Sequence, residues 1–268
     1  AAHNQWRGYI FFLGETSDMS ITSQDKAAFD RDGFVLLRGY LSSAETTEVN
    51  ANIDRFIAEV LPTAPETTAF YEDVDDPSSI KRLQNMYHLD PYFHELFHGE
   101  RMQGLAAGLL GDGARGKNLQ WFNKPARVGG VTPPHQDGFY FMLEPNEAIT
   151  LWLALDEIDE DNGCIRYVRG SHRQGMRPHQ RSNVVGFSQG LPDYSEADRA
   201  VEEPIRAQPG DLFAHHSMTI HRADANPSDR RRAALGFVYF AESATEDADR
   251  AERYRQELYK QWEQEGRI

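Results

Sequence analysis

The chain has 268 residues, 40% of them hydrophobic and 26% charged, an ordinary composition that excludes a disordered or fibrous protein. Its 42 acidic and 28 basic side chains give a net charge of −14, which makes nucleic acid and anionic membrane surfaces poor candidate partners. The single cysteine, Cys164, excludes a disulfide framework and predicts a buried, unreactive thiol in a cytoplasmic protein. No apolar run reaches the roughly 18 residues of a membrane span.

The length fits one large domain or two small ones. We predict a single domain over residues 21–268, because no internal repeat or low-complexity linker divides the chain. Residues 1–20 begin without methionine and lack the order of a signal peptide, and we interpret them as an N-terminal extension that could include processed or tag-derived sequence.

The first part of the chain predicts helices around one strand. Ser42 with Glu45 forms a capping-box pattern, which opens a helix that stops before Pro62. The remaining elements predicted here are a helix from Thr22 to Gly33, a strand over 34–40, a surface loop over 63–79 and a helix over 91–110.

From Asn118 onwards the pattern changes to short strands separated by turn signals, which is typical of a sandwich or barrel. The candidate strands are 118–124, 139–143, 148–158, 164–168, 211–221 and 233–241. Residues 170–202, which we call the lid segment, are long, polar and Gly-rich and predict a functional lid or loop. The tail from about 247 predicts a charged helix with Tyr254, Leu258 and Trp262 on one stripe.

A candidate metal site lies in the sequence His135-Gln136-Asp137, at the start of a predicted strand. Residues i and i+2 of a strand point to the same face, so an imidazole and a carboxylate can share one metal ion. A third ligand could come from His221, at the end of another predicted strand. Two histidines and one carboxylate form the facial triad of non-haem Fe(II) oxygenases, which leaves coordination positions open.

Arg232 follows His221 by 11 residues and begins the last predicted strand. Alternation places Arg232, Ala234, Gly236 and Val238 on one face of this strand, beside space for a bound anion. A guanidinium group suits a carboxylate, whereas the preceding Arg230 and Arg231 fit a solvated turn.

Four features of the chain occur together: HQD at 135–137, TLWLALDEIDEDNGC at 150–164, GSH at 170–172 and the spacing from His221 to Arg232. With these motifs the chain resembles the phytanoyl-CoA dioxygenase family over roughly residues 25–242. This resemblance implies a mainly β fold with peripheral helices and a double-stranded β-helix (jelly-roll, cupin-like) core. It also implies Fe(II), 2-oxoglutarate and O₂ as cofactors.

The same resemblance implies roles for individual residues. His135, Asp137 and His221 take the iron-ligand positions, and Arg232 takes the position that pairs with the distal carboxylate of 2-oxoglutarate. Further positions near the cosubstrate are those of Gln120, Trp152, Thr150 and Lys81.

Two details modify this picture. A serine that often follows the distal histidine by two residues is Ala223 here, which removes one expected hydrogen bond to the cosubstrate. Asp137 is intact, whereas halogenating relatives replace this carboxylate, so halogenation is disfavoured. His215 and His216 are interpreted as packing or supporting groups.

We therefore expect an iron- and 2-oxoglutarate-dependent dioxygenase that hydroxylates a C–H bond of a small molecule. Five arginines near the lid segment favour a small anion or zwitterion, such as an organophosphonate or an amino acid. These outer arginines are Arg166, Arg169, Arg173, Arg177 and Arg181. Two alternatives stay open, a cupin-like metal enzyme without 2-oxoglutarate and a non-catalytic metabolite-binding jelly roll. The sequence does not fix the oligomeric state.

Overall fold

A computed structural model describes residues 21–184 and 187–264, so the predicted N-terminal extension lies outside the described part. The side chain of Trp262 is also outside it. The helices are α1 (Ser23–Asp32), α2 (Ser43–Arg55), α3 (Met86–Leu89), α4 (Pro91–His98), α5 (Glu100–Leu110), α6 (Gly138–Phe141), α7 (Glu196–Arg199) and α8 (Ala248–Gln264). None of these helices combines the length and apolar character of a membrane span.

The strands form two larger antiparallel sheets and two short pairs. In chain order they are β1 (Phe34–Leu37), β2 (Ala69–Tyr71), β3 (Ile80–Gln84), β4 (Ala114–Lys124), β5 (Thr132–His135), β6 (Leu143–Glu144), β7 (Ala148–Ala154), β8 (Ile165–Val168), β9 (Gln180–Val184), β10 (Phe187–Gly190), β11 (Glu202–Pro204), β12 (Leu212–His216), β13 (His221–Ala223), β14 (Arg232–Ala241) and β15 (Thr245–Glu246). The large sheet has the order β1-β12-β7-β14-β4-β3-β2, and the small sheet has the order β11-β8-β13-β5. This arrangement confirms the predicted mainly β fold with helices at the periphery.

The two faces of the large sheet pack against different parts of the protein. Leu235, Phe237 and Tyr239 of β14 are fully buried in a core that the N-terminal helices share. The opposite face, which includes Trp152 and Phe213, packs towards the small sheet. Alternation along β14 therefore separates a helix-covered core from an interior that faces the other sheet. The sequence predicted the alternation itself.

Capping chemistry fixes the first two helices. Thr22 and Ser42 each accept a hydrogen bond from the backbone three residues on, and Asp25 and Glu45 bond back to the cap residue. Both reciprocal capping boxes are complete, which satisfies N–H groups that a helix start otherwise leaves unpaired.

The predicted segments that the structure changes include two strands and one loop. Residues 139–143 begin with the one-turn helix α6, because the backbone N–H groups of Phe139 and Tyr140 bond to the carbonyls of Gln136 and Asp137. The predicted strand 211–221 divides at a turn, closed by the bond from Thr219 N–H to His216 O, into β12 of the large sheet and β13 of the small sheet. The predicted loop 63–79 contains β2, which pairs with β3 and extends the large sheet.

Candidate metal and cosubstrate site

His135, Asp137 and His221 lie together between the two sheets. Asp137 Oδ1 is 3.4 Å from His135 Nε2 and 3.6 Å from His221 Nε2, and the three ligand atoms lie within 4.8 Å of one another. His135 ends β5 and His221 begins β13, and the two residues are direct cross-strand partners. Among the described residues this is the one group of three or more His, Cys, Asp or Glu side chains placed to hold a metal ion.

The two imidazoles are oriented by the same backbone device. His135 Nδ1 is 2.8 Å from the carbonyl of Pro133, and His221 Nδ1 is 3.0 Å from the carbonyl of Thr219. A carbonyl only accepts, so each Nδ1 carries the hydrogen and each Nε2 presents a lone pair. A bond of this kind on the other ring nitrogen sets the tautomer and orientation of a metal-binding histidine.

Two hydrogen bonds to Oδ2 fix the orientation of the Asp137 carboxylate. Asp137 Oδ2 accepts hydrogen bonds from Thr150 Oγ1 at 2.9 Å and from His215 Nε2 at 3.0 Å. The buried Tyr167 hydroxyl is in turn 2.8 Å from His215 Nδ1 and donates to it. Oδ1 is thereby left to face the two histidines, so Thr150 supports the carboxylate rather than standing as a separate cosubstrate contact.

The pKa values of these groups reflect burial and mutual proximity. Burial raises the pKa of the Asp137 carboxyl, but the imidazoles of His221, His135 and His215 outweigh it and hold this pKa well below its ordinary value. Burial and the neighbouring His135 lower the pKa of His221 well below its ordinary value. A carboxylate with neutral imidazoles is the protonation state that binds a divalent metal.

The alternation argument for His135 and Asp137 was wrong in its geometry. The strand ends at His135, and Asp137 precedes α6 with helical backbone angles, so a turn rather than a pleat brings its carboxylate inwards. Gln136 anchors this turn from the other side, since its side chain bonds to Met218 O, Gly175 O and Arg177 N–H. The lid segment therefore supports the back of the metal site.

Arg232 occupies the inner interior without an ionic partner. Its side chain is 3% exposed, and its Nε and Nη1 atoms are buried with no hydrogen-bond partner among the described residues. The guanidinium carbon lies 4.9 Å from the centre of the Trp152 ring, and burial lowers the pKa of Arg232 to about 10. A buried, unpaired guanidinium is costly unless an anion completes it, so this group fits a carboxylate.

Two lysines lie near Arg232. Lys124 is the direct cross-strand partner of Arg232, is 5% exposed and donates a hydrogen bond to Gly130 O. Lys81 of β3 lies 3.5 Å from the carboxylate of Glu72. We call the region lined by Arg232, Lys124 and Lys81 the inner end of the cavity.

Arg232, Lys124 and Lys81 belong to a cavity of about 370 Å³ that also contains the candidate metal ligands, Gln120, Thr150 and Trp152. Gly236 also lines the cavity, but the open space that the sequence predicted beside it is filled. A Cβ atom there would lie 2.9 Å from Phe122 and 3.3 Å from Trp152, whose rings stack at 5.5 Å. The glycine thus accommodates the aromatic wall beside Arg232.

The outer part of the cavity is covered by α8 instead of the predicted lid. Ala251, Tyr254 and Leu258 of this helix line the cavity, and Lys117 is tied to Glu246 just before the helix at 2.6 Å. Of the lid segment, no residue that the structure describes lines the cavity. The stripe on the C-terminal helix was a visible signal, but its position over the cavity was not predicted.

The outer arginines were expected to concentrate positive charge, but Arg166, Arg169 and Arg177 are ion-paired with acidic side chains instead. Arg169 pairs with Asp32 at 2.5 Å and with Glu203, and Arg166 pairs with Asp224 at 2.8 Å. None of the five outer arginines lines the cavity in the described structure. Arg230 and Arg231 are ion-paired on the surface, as the solvated-turn interpretation predicted.

A model of the family described as "Phytanoyl-CoA dioxygenase (PhyH)" matches residues 29–234. The chain belongs to the phytanoyl-CoA dioxygenase family. Among its relatives, phytanoyl-CoA dioxygenase domain-containing protein 1 of Bos taurus is 26% identical over 252 residues, covering 78% of this chain and 86% of the relative. Phytanoyl-CoA dioxygenase 1 of Oryza sativa is 26% identical over 253 residues, covering 81% and 88%.

Solved structures of similar fold include EctD from S. alaskensis, crystallised with 2-oxoglutarate and 5-hydroxyectoine. It is 22% identical with a TM-score of 0.68, covering 86% of this chain and 79% of the other. The epimerase SnoN, in complex with Fe³⁺ and alpha-ketoglutarate, is 23% identical with a TM-score of 0.67, covering 83% and 84%. These likenesses confirm the jelly-roll core.

Membership of this family makes the chain a non-haem iron, 2-oxoglutarate-dependent oxygenase that acts on a small molecule, and iron, 2-oxoglutarate and O₂ are its cofactors. This conclusion sets aside the cupin-like enzyme without 2-oxoglutarate and the non-catalytic binding module. The donor set fits iron, and the unpaired Arg232 fits the distal carboxylate of the cosubstrate. The residue roles themselves stay predictions.

Proposed function

We propose that this enzyme hydroxylates a C–H bond of a small anionic or zwitterionic molecule, such as an organophosphonate or an amino acid. The observation that carries the proposal is one cavity that holds the three candidate ligands and a buried arginine without an ionic partner. His135, Asp137 and His221 hold iron, Arg232 receives the distal carboxylate of 2-oxoglutarate, and Trp152 and Gln120 line the space beside it.

When bound, iron and 2-oxoglutarate supply the oxidative decarboxylation to succinate that is coupled to oxidation of the substrate. The chain supplies orientation. His215 and Thr150 hold Oδ2 of Asp137, so Oδ1 keeps its direction, and the Arg232 guanidinium fixes one end of the cosubstrate. Phe122, Trp152 and Tyr254 contribute apolar surface that limits water in the cavity.

The outer part of the cavity supports the proposed substrate class. Arg82 brings positive charge to the cavity wall, Lys117 and Glu246 line it as an ion pair with each other, and Val238 and Leu258 are apolar. A wall with an intact ion pair and one further cation suits a small charged molecule better than a wholly apolar one. A volume of about 370 Å³, shared with the cosubstrate, favours a small metabolite over an enclosed acyl-CoA thioester.

The test is succinate formation under O₂ with the Fe(II)-loaded enzyme and a panel of size-matched amino acids, organophosphonates and uncharged amides. We expect succinate to rise with a charged compound, together with a hydroxylated product of the same compound. Stimulation by the uncharged amides alone contradicts the substrate class, and succinate formation that persists in Asp137→Ala contradicts the ligand assignment. Arg231→Met, which removes an exposed arginine next to Arg232, is the matched control and should retain activity.

A further inference from the structure

Lys124 is a buried lysine that the proposed chemistry does not use. It ends β4, it faces the cavity, and its side chain is 5% exposed. Its ammonium nitrogen donates to one backbone carbonyl, that of Gly130. Gly129 packs against it so closely that a Cβ atom there would lie 2.7 Å from Lys124 Cβ, so the lysine stem is enclosed from that side.

The position of Lys124 relative to Arg232 is unusual. The two residues are directly paired across β4 and β14, and both line the inner end of the cavity. Directly opposite residues of an antiparallel pair have Cβ atoms about 5 Å apart, and like charges there are destabilising. The arrangement is favourable only when an anion lies between the two cations or when one of them gives up its charge.

Charged groups from four elements act on Lys124. Arg232 of β14 and Lys81 of β3 oppose its protonation, whereas Glu72, after β2, and Asp224, after β13, favour it. Burial is the largest effect, followed by the charge of Arg232, and together they lower the pKa of Lys124 to about 7. A dicarboxylate cosubstrate places a new negative charge beside these cations and reverses the balance.

We propose that Lys124 is the second cation of the carboxylate subsite and that it takes up one proton from solvent when 2-oxoglutarate binds to Arg232. The inference rests on the proposed function, because it assigns the distal carboxylate to Arg232. The amine Nζ gains the proton and becomes an ammonium group, and the carboxylate then accepts hydrogen bonds from both Arg232 and Lys124. Lys124 is thus a group that senses occupancy of the subsite through its charge.

The experiment is anaerobic calorimetry of 2-oxoglutarate binding to the Fe(II)-loaded enzyme, in buffers with different ionisation enthalpies. The dependence of the binding heat on the buffer gives the number of protons taken up. At pH 8 we expect about one proton per bound cosubstrate, because a lysine with a pKa near 7 is then mostly neutral before binding. At pH 6 the uptake should fall to near zero.

Variants give an independent readout. Lys124→Arg keeps a permanent cation, so it should bind 2-oxoglutarate without proton uptake, and Lys124→Met should bind more weakly and also without uptake. Lys26→Met is the matched control, because Lys26 of α1 does not line the cavity and is paired with Asp30 at 2.6 Å. It should retain the uptake of the unaltered enzyme.

The outcomes separate the two levels of the proposal. Binding of 2-oxoglutarate at pH 8 with no proton uptake overturns the role of Lys124 and leaves the proposed function intact. The same uptake in Lys124→Arg assigns the proton to another group and also overturns it. Absence of 2-oxoglutarate binding to the iron-loaded enzyme overturns the proposed function, and the inference with it. The unaltered enzyme alone decides the first case, so the test does not depend on the folding of a variant.

Discussion

The inner end of the cavity and the lid segment with its outer arginines use positive charge in opposite ways. Arg232 is buried, and two of its nitrogen atoms have no partner among the described residues. Arg169 and Arg177 lie outside the cavity, and each pairs with two carboxylates. A cation that is already paired has little left for a ligand, whereas a cation that is buried and unpaired gains most from one. Position and pairing, rather than the number of arginines, therefore locate the anion subsite.

The sharpest way to break this comparison is to neutralise both kinds of arginine. Arg232→Met should raise the Kd for 2-oxoglutarate by on the order of 100-fold, because two charge-assisted hydrogen bonds are lost. Calorimetry with the iron-loaded enzyme measures it. The adjacent Arg231→Met removes a charge that is 3.0 Å from Asp156 at the surface and should leave this Kd unchanged. An equal increase of the Kd for 2-oxoglutarate in both variants would contradict the assignment of Arg232.

The second-largest effect is expected when Asp137 loses the hydrogen bond from His215 that orients its carboxylate. His215→Phe removes the donor to Asp137 Oδ2 at 3.0 Å, and we expect Fe(II) affinity to fall by about 10- to 100-fold, the usual cost of losing a partner of a metal ligand. Tyr167→Phe removes only the bond to His215 and should cost less. Competition with a chelator measures both affinities, and an unchanged affinity in His215→Phe contradicts the supporting role.

The pH dependence of stability tests the buried lysine in the unliganded protein. Its pKa of about 7 lies below that of an unfolded lysine, so the cost of burying its charge is complete below pH 7 and fades as the pH rises towards the unfolded value. Lys124→Met should therefore raise Tm by more degrees at pH 6 than at pH 9. Thermal melts of both proteins across this range measure the difference, and a constant difference contradicts the lowered pKa.

The smallest effect is expected at the outer arginines. The double variant Arg169→Met/Arg173→Met should leave the Kd for 2-oxoglutarate and the response to charged substrates within about twofold, because Arg169 is already paired with Asp32 and Glu203 and neither side chain lines the cavity. Titration and succinate assays measure both quantities. A large loss of substrate response would restore the earlier hypothesis that the lid segment binds an anion.

Local sequence patterns predicted a considerable part of this site. The spacing of His135, Asp137, His221 and Arg232 indicated one cluster, and alternation along β14 correctly placed Arg232, Gly236 and Val238 on the face that lines the cavity. Period-two alternation works here because the large sheet has different surroundings on its two faces.

Other features depend on contacts between distant segments and could not be predicted in this way. The run 211–221 contains no glycine or proline, so nothing local shows that it turns between His216 and Thr219 and changes sheet. This turn places His215 beside Asp137 and His221 opposite His135. The cover formed by Tyr254 and Leu258 is equally non-local, because an apolar stripe shows that a helix is covered without showing by what.

The most direct test of the central claim is an anaerobic titration of the metal-free protein with Fe(II) and then 2-oxoglutarate, followed by visible absorption. A cosubstrate that chelates iron through its 2-oxo acid end gives a metal-to-ligand charge-transfer band. We predict this band in the unaltered protein and in Arg231→Met, its absence in His135→Ala, and its appearance only at higher 2-oxoglutarate concentration in Arg232→Met. Iron binding without any band in the unaltered protein, or an unchanged band in His135→Ala, would contradict the site proposed for His135, Asp137, His221 and Arg232.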